Sequence, residues 1–217
     1  MSSEIIKIIG NGIWETLYMT IVSTLLAYLF GIPLGVILYT TDEKGICYNR
    51  WINFIMGVIV NVTRSVPFLI LLVAILPFTR LIVGTTIGST ATIVPLVIAA
   101  APFVARMVES SLKEVDFGVI EAAKAMGSSS AQIVFKVLLP EAKPSLLVGG
   151  TISLATILSY SAMAGFVGGG GLGAIAINYG YYRYQAEIMW ITVALLVVIV
   201  QLFQEIGLRF VSKVDKR

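Results

Sequence analysis

Histidine is absent from this 217-residue chain, and cysteine occurs once, at Cys47. Without histidine there is no imidazole ligand for a metal and no histidine base for a nucleophilic triad. One cysteine rules out an intrachain disulfide. Charge is scarce as well: Asp, Glu, Lys and Arg make up 12% of residues, against about 25% in an ordinary domain. No GxxxxGK[ST] stretch occurs, so the sequence offers no Walker loop to cradle a nucleotide's phosphates. The opening MSSEIIKIIGNGIWETL lacks a basic segment followed by a small-residue cleavage pattern, so no cleaved leader is expected.

Apolar residues fill the place of charge, at 58% of the chain and a mean hydropathy of +0.94. A bilayer crossing takes about 20 apolar residues. Five segments qualify, at about 13–40, 52–83, 91–112, 145–167 and 186–211. The expected fold class is therefore all-α: a polytopic membrane protein of five transmembrane helices, one transmembrane domain over 1–217 with its core at about 13–211. Pro33, between Gly31 and Gly35, predicts a kink in the first span. The second is over-long and interrupted by RSVP at 64–67, which predicts a tilted or broken helix.

Basic residues gather on the cytoplasmic side of membrane proteins. With the C-terminus inside, that side holds Lys44, Arg50, Arg106, Lys113, Lys124, Lys136, Lys143, Arg209, Lys213, Lys216 and Arg217. The outer side holds Lys7, Arg80 and Arg183, and Arg64 lies within a span. Five spans with this bias give an N-out/C-in topology. The net charge of +3 then reports topology, and no nucleic-acid partner is expected.

This topology makes residues 114–144 a cytoplasmic loop, and its centre, EAAKAMGSSSAQIVFKVLLP, reads as two short helices. Asp116 is placed to cap the first, Glu121 and Lys124 form a weak surface pair, and Gly127 ends it. Ser129 and Gln132 have capping-box spacing for the second. Ile133, Val134, Val137 and Leu138 give that helix an apolar face, Pro140 is expected to stop it, and Pro144 suits the first turn of the next span. Helices this short are not stable alone in water. Their apolar faces pack on the protein's own helices, lie in the lipid interface or dock a soluble partner.

The spacing Glu121, Ala122, Ala123, then Gly127, then Val137, Leu139 and Pro140 resembles the EAA loop of ABC importer permeases, with Val137 where that pattern has isoleucine. Further along, GIWETLYMT, RSVPFLILL, PFTRLIVGTTIG, AAAPFVARMVES and YSAMAGFVGGGGLG are similar to the methionine-uptake members of those permeases. The resemblance implies a type I importer permease fold and a coupling loop seated in a cleft of an ATPase subunit. It also implies a homodimer in the lipid bilayer, with two ABC ATPase subunits that hold ATP and Mg2+, no cofactor on this chain and no chemistry of its own. An extracytoplasmic methionine-binding protein would deliver L- or D-methionine, for import by alternating access. A permease for another small amino acid is the alternative. An ion-coupled secondary transporter would show ionisable residues within its spans, and an intramembrane enzyme would show catalytic ones. Neither pattern is evident here.

Four other features stand out. GGGGLG at 168–173 is a formal GxGxxG with Glu187 downstream, but no strand–helix unit surrounds it. An outer turn or a re-entrant stretch buried in protein is expected there. Gly149, Ser153, Thr156, Tyr160, Met163 and Val167 fall at helical spacing on one face, which either packs against helices or lines the transport path. In the second reading Tyr160 and Met163 close a gate. Arg64 should face protein, water or the interface. Glu109 with Lys113, and Glu205 with Arg209, read as solvated or interfacial i,i+4 pairs.

Overall fold

The computed structural model describes residues 3–214, with side chains as far as Ser212. Lys213, Lys216 and Arg217 of the charge bias lie outside those described side chains. Every regular element among the described residues is helical. The order is α1 (Ser3–Thr41), α2 (Arg50–Ser65), α3 (Phe68–Ala74), α4 (Leu76–Val83), α5 (Ser89–Lys113), α6 (Phe117–Ala125) and α7 (Ser130–Ile133). A π-helical turn (Val134–Leu138) leads to α8 (Leu139–Glu141) and α9 (Lys143–Met163). A 3-10 turn (Ala164–Val167), α10 (Gly171–Ile175), a second π-helical stretch (Ala176–Tyr181) and α11 (Ala186–Val214) follow.

Four runs are long and apolar enough to cross a membrane: Ser3–Thr41, Ser89–Lys113, Lys143–Tyr181 and Ala186–Ser212. α2 and α3 qualify only as a pair, bent by 102°, and make a fifth crossing if the pair is one broken span. The break falls in the RSVP stretch. Pro67 holds Val66 in an extended conformation, φ −80° and ψ 125°, which ends α2. Pro33 does not interrupt α1, which continues as one helix of 39 residues.

α1 packs along α5 at close range because the facing residues are small. A Cβ at Gly31 would lie 2.6 Å from Cγ1 of Val104, and one at Gly35 would lie 2.6 Å from the carbonyl oxygen of Ala105. Gly31 and Gly35 are four apart, the small-xxx-small arrangement that lets membrane helices approach backbone to backbone. α9 packs against α1, α5 and α11. A continuous core joins these helices to the loop, running from Met19, Ala27 and Leu96 through Val108 and Leu112 to Ile120, Ile133 and Leu138. Large apolar side chains on the outer faces of α2 and α11, among them Trp51, Phe54, Val197 and Leu202, are exposed. Such faces are stable in hydrocarbon, where burial between helices brings no hydrophobic gain.

Candidate functional site

Two regions at opposite ends of α9 are candidates for function. The first is the loop. Asp116 caps α6 by accepting a hydrogen bond from the Gly118 amide at 2.6 Å. The helix ends at Gly127, whose φ of +78° is left-handed. The Gly127 amide donates to Lys124 O and the Ser128 amide to Ala123 O, the paired bonds of a Schellman end. Ser129 and Gln132 form the expected capping box. The Ser129 amide donates to Gln132 Oε1 at 2.8 Å, and the Gln132 amide donates to Ser129 Oγ at 3.4 Å.

Pro140 does not stop the second helix, contrary to expectation. The chain passes from α7 through the π-helical turn into α8, where the Leu139 amide donates to Val134 O, five residues back. The wider turn removes the clash between a proline ring and the carbonyl four residues before it. The apolar face is buried on the protein's own helices: Ile133, Val134 and Leu138 join the main core with Ile120 and Ala123. That leaves an opposite face outward. Glu121, Ala122, Gly127 and Pro140 are exposed, Val137 and Leu139 are half-buried, and Ala123 is buried. Phe117, Met126 and Phe135 also project from the loop, Met126 at 79% exposure and Phe135 at 71%. These three carry no motif signal in the sequence. Exposed apolar side chains can mark a contact surface where they form a contiguous patch.

The second region is the far end of α9. Gly168, Gly170 and Gly171 have positive φ, and α10 turns back against the end of α9 as a helical hairpin. A Cβ at Gly165 would lie 2.5 Å from the Ala174 amide nitrogen, and one at Gly173 would overlap the Ala162 backbone. Gly171 to Ala176 are all buried. The stretch is thus packed within the protein rather than left as an exposed turn. Its carrier residues were invisible in the sequence. Glu15 Oε2 accepts from the Gly171 amide at 2.6 Å and Thr16 Oγ1 from the Leu172 amide at 2.9 Å. From the other side, the Gly88 amide donates to Gly168 O at 2.9 Å and the Thr92 hydroxyl to Gly169 O at 3.2 Å. A lone carboxylate near the start of an apolar span was the available signal, because such a group needs a partner.

The small and hydroxyl-bearing face of α9 divides along its length. Gly149 faces Met107 and Tyr28. Ser153 is buried, bonds Gly149 O at 2.8 Å and meets the Tyr28 hydroxyl at 3.4 Å. The Thr156 hydroxyl donates to Ile152 O. Tyr160 stacks on Phe68, the residue just past the break in the second span, with centroids 4.6 Å apart and planes 3° from parallel. Val167 packs against the same core. Met163 lies elsewhere, 42% exposed, in a groove of about 500 Å3 shared with Phe166, Leu196 and Gln201.

Charged residues show one correction. Glu109 is not solvated but buried, at 7% exposure. Its Oε2 meets Arg106 Nη1 at 2.6 Å and its Oε1 meets Lys113 Nζ at 2.8 Å, while Lys113 also reaches Asp42 at 3.1 Å. Asp42 has its carboxyl held below the usual aspartate range, first by the Glu43 amide and then by the Lys113 ammonium. Arg209 and Glu205 do form an exposed i,i+4 pair, at 2.7 Å. Arg64 is exposed in the last turn of α2. Among the described residues no cluster of His, Cys, Asp or Glu could hold a metal.

Known proteins resemble the chain over its whole length. The sequence profile of the family described as binding-protein-dependent transport system inner membrane component matches residues 31–215. A probable D-methionine transport system permease protein MetI from Vibrio cholerae is 56% identical over 204 residues, covering 94% of this chain and 91% of that protein. A Pasteurella multocida protein of the same description is 46% identical over 217 residues, covering both chains completely. A chain from a solved structure of inward-facing conformations of the MetNI methionine ABC transporter superposes with a TM-score of 0.98 at 50% identity, over all of both chains.

Proposed function

The chain belongs to the family of binding-protein-dependent transport system inner membrane components, and on that premise we propose that it is the permease subunit of an ATP-driven methionine importer. The loop at 114–144 carries this reading. It has a doubly capped frame whose apolar face is consumed by the chain's own core, and it still presents Glu121, Ala122, Gly127, Phe117, Met126 and Phe135 outward. In the proposed topology, N-out and C-in, this outward face lies in the cytoplasm. It docks an ATPase subunit, which holds the ATP and Mg2+ that this chain has no loop to bind. The permease acts as a homodimer on two such ATPases, since one bundle of five spans is too small to surround a path alone. A methionine-binding protein delivers the substrate outside. Methionine as cargo is supported by the names of relatives at 46% and 56% identity.

The transport step is alternating access. ATP-driven closure of the two ATPases draws the paired loops together, and the spans fixed to those loops reorient. Ser153, Thr156, Tyr160 and Met163 supply the path and gate in this reading. The fit to a chain from inward-facing conformations supports reading the present arrangement as the state open to the cytoplasm.

Co-expression with candidate ATPase subunits should yield a co-purifying complex, and methionine uptake in reconstituted vesicles should require ATP hydrolysis. Uptake that survives a hydrolysis-dead ATPase would overturn the proposal. Gly127→Trp sharpens the placement of the interface. No atom lies within 4 Å of a Cβ added there, so the indole projects outward and should block docking while the permease still inserts. Gly127→Ala carries the same left-handed strain, about 1–2 kcal/mol, without the bulk, and should retain the ATPase.

A further inference from the structure

Polar side chains run in a line from the end of α5, where the coupling loop begins, to the last turn of α2. Lys113, the last residue of α5, is three residues before the cap of α6. It bridges Asp42, just past the end of α1, and Glu109. Glu109 bonds Arg106 on its other oxygen, and Arg106 Nη2 donates to Asn61 Oδ1 at 3.0 Å. Asn61 lies about one turn before the end of α2, and past that end the chain bends by 102° into α3. The line runs seven residue steps along α5, from Arg106 to Lys113, about 10 Å.

Stability alone explains this arrangement poorly. A buried carboxylate between two cations recovers in attraction about what it costs in desolvation, and well-packed apolar residues in its place are often as stable. What the line does is make three helix ends one body. α6 is fixed to α5 through Val115, Ile120 and Leu112 in the core, so displacement of the loop moves the end of α5. The charges carry that displacement sideways to α1 and α2.

We propose that Glu109 is a positioning residue for transport, the clamp through which movement of the coupling loop reaches the bend at Val66–Pro67. Beyond the bend, Phe68 stacks on Tyr160 of α9, so a change of angle there acts directly on the proposed path. This inference rests on the importer reading above.

The test uses the full complex of permease, ATPase subunits and binding protein in proteoliposomes, and measures methionine imported per ATP hydrolysed. Glu109→Gln should lower that ratio by at least about fivefold, the low end of typical coupling between sites, while the complex stays assembled and continues to hydrolyse ATP. Glu109→Asp should restore part of it. An unchanged ratio overturns the proposal, as does a fall of uptake and hydrolysis in step, which is plain structural damage. Should Glu109→Gln fail to assemble, Asn61→Leu cuts the line at an exposed residue. It should lower the ratio in the same direction, and an unchanged ratio there also overturns the proposal. Failure of the importer reading is separate: it appears as ATP-independent uptake by the unaltered complex.

Discussion

The loop end and the glycine end of α9, about 30 Å apart along its 21 residues, are held together by different means. At the loop, side chains hold the structure: Asp116 and Ser129 cap helices, and Lys113, Glu109 and Arg106 link neighbours. At the hairpin, backbone packs on backbone, and the polar contacts from Glu15, Thr16 and Thr92 end on main-chain groups. Side-chain links between helix ends let those ends move together as a unit, whereas backbone contact at glycine leaves no room for its two partners to shift against each other. The contrast suits a molecule that receives motion at one end and keeps a fixed buttress at the other.

The largest test of this contrast is Gly173→Leu. Any Cβ there overlaps the Ala162 backbone, which cannot move aside as a side chain would. Overpacking beyond the usual 1–3 kcal/mol is expected. The variant should give little monodisperse protein on size-exclusion chromatography after extraction. A well-behaved variant melting near the parent would show that the hairpin is pliable, and would erase the contrast.

Next is Glu15→Ala, which removes the acceptor of the Gly171 amide, on a buried residue at the edge of a groove. The expected loss is about 1–3 kcal/mol, read as a lower thermal midpoint of the purified permease. Glu15→Gln keeps a carbonyl acceptor and should recover most of the loss. Equal losses for both variants would mean that the negative charge, rather than the hydrogen bond, holds the hairpin.

The same contrast explains what could be read from the sequence. The loop was legible because its signals are local: Ser129 with Gln132, Gly127 after Ala123, and Asp116 before α6 all act within five residues. The break in the second span was legible too, because Pro67 acts on its immediate neighbour. The hairpin clamp was not, since Glu15 and Gly171 stand 156 residues apart and nothing near either names the other. Glu109 misled for a related reason. Its spacing to Lys113 is that of a surface pair, and its burial comes from α1 and α2 closing over that face. Pro140 misled because a π-helical turn, set by the surrounding packing, let the helix pass it.

A smaller effect is expected from Ser129→Ala at the loop end. Cap removal typically costs about 1 kcal/mol, and the bond lost here is the longer half of the box, 3.4 Å against 2.8 Å for its reciprocal. The surviving Gln132 contact should hold the loss toward the low end. Faster amide hydrogen exchange confined to residues 129–133 is the expected signature, with ATPase co-purification retained. Loss of the complex would show that the cap, and not only the core beneath it, sets the docking surface.

The smallest effect belongs to Asp42. Its carboxyl titrates below the ordinary aspartate value of 3.8, held down by the Glu43 amide and by Lys113. A depressed carboxylate adds stability at pH values above that ordinary value and loses it as pH falls through the lower, folded one. Between pH 5 and 8 the contribution is therefore constant. Both partners are more than a third exposed, so the pair is screened like a surface ion pair and contributes little. Asp42→Asn should melt slightly below the parent at pH 7, by the same margin at pH 5, and the two should converge only below pH 3.8. A gap that opens between pH 5 and 8 would mean that another titrating group, and not the Asp42–Lys113 contact, couples the end of α1 to α5.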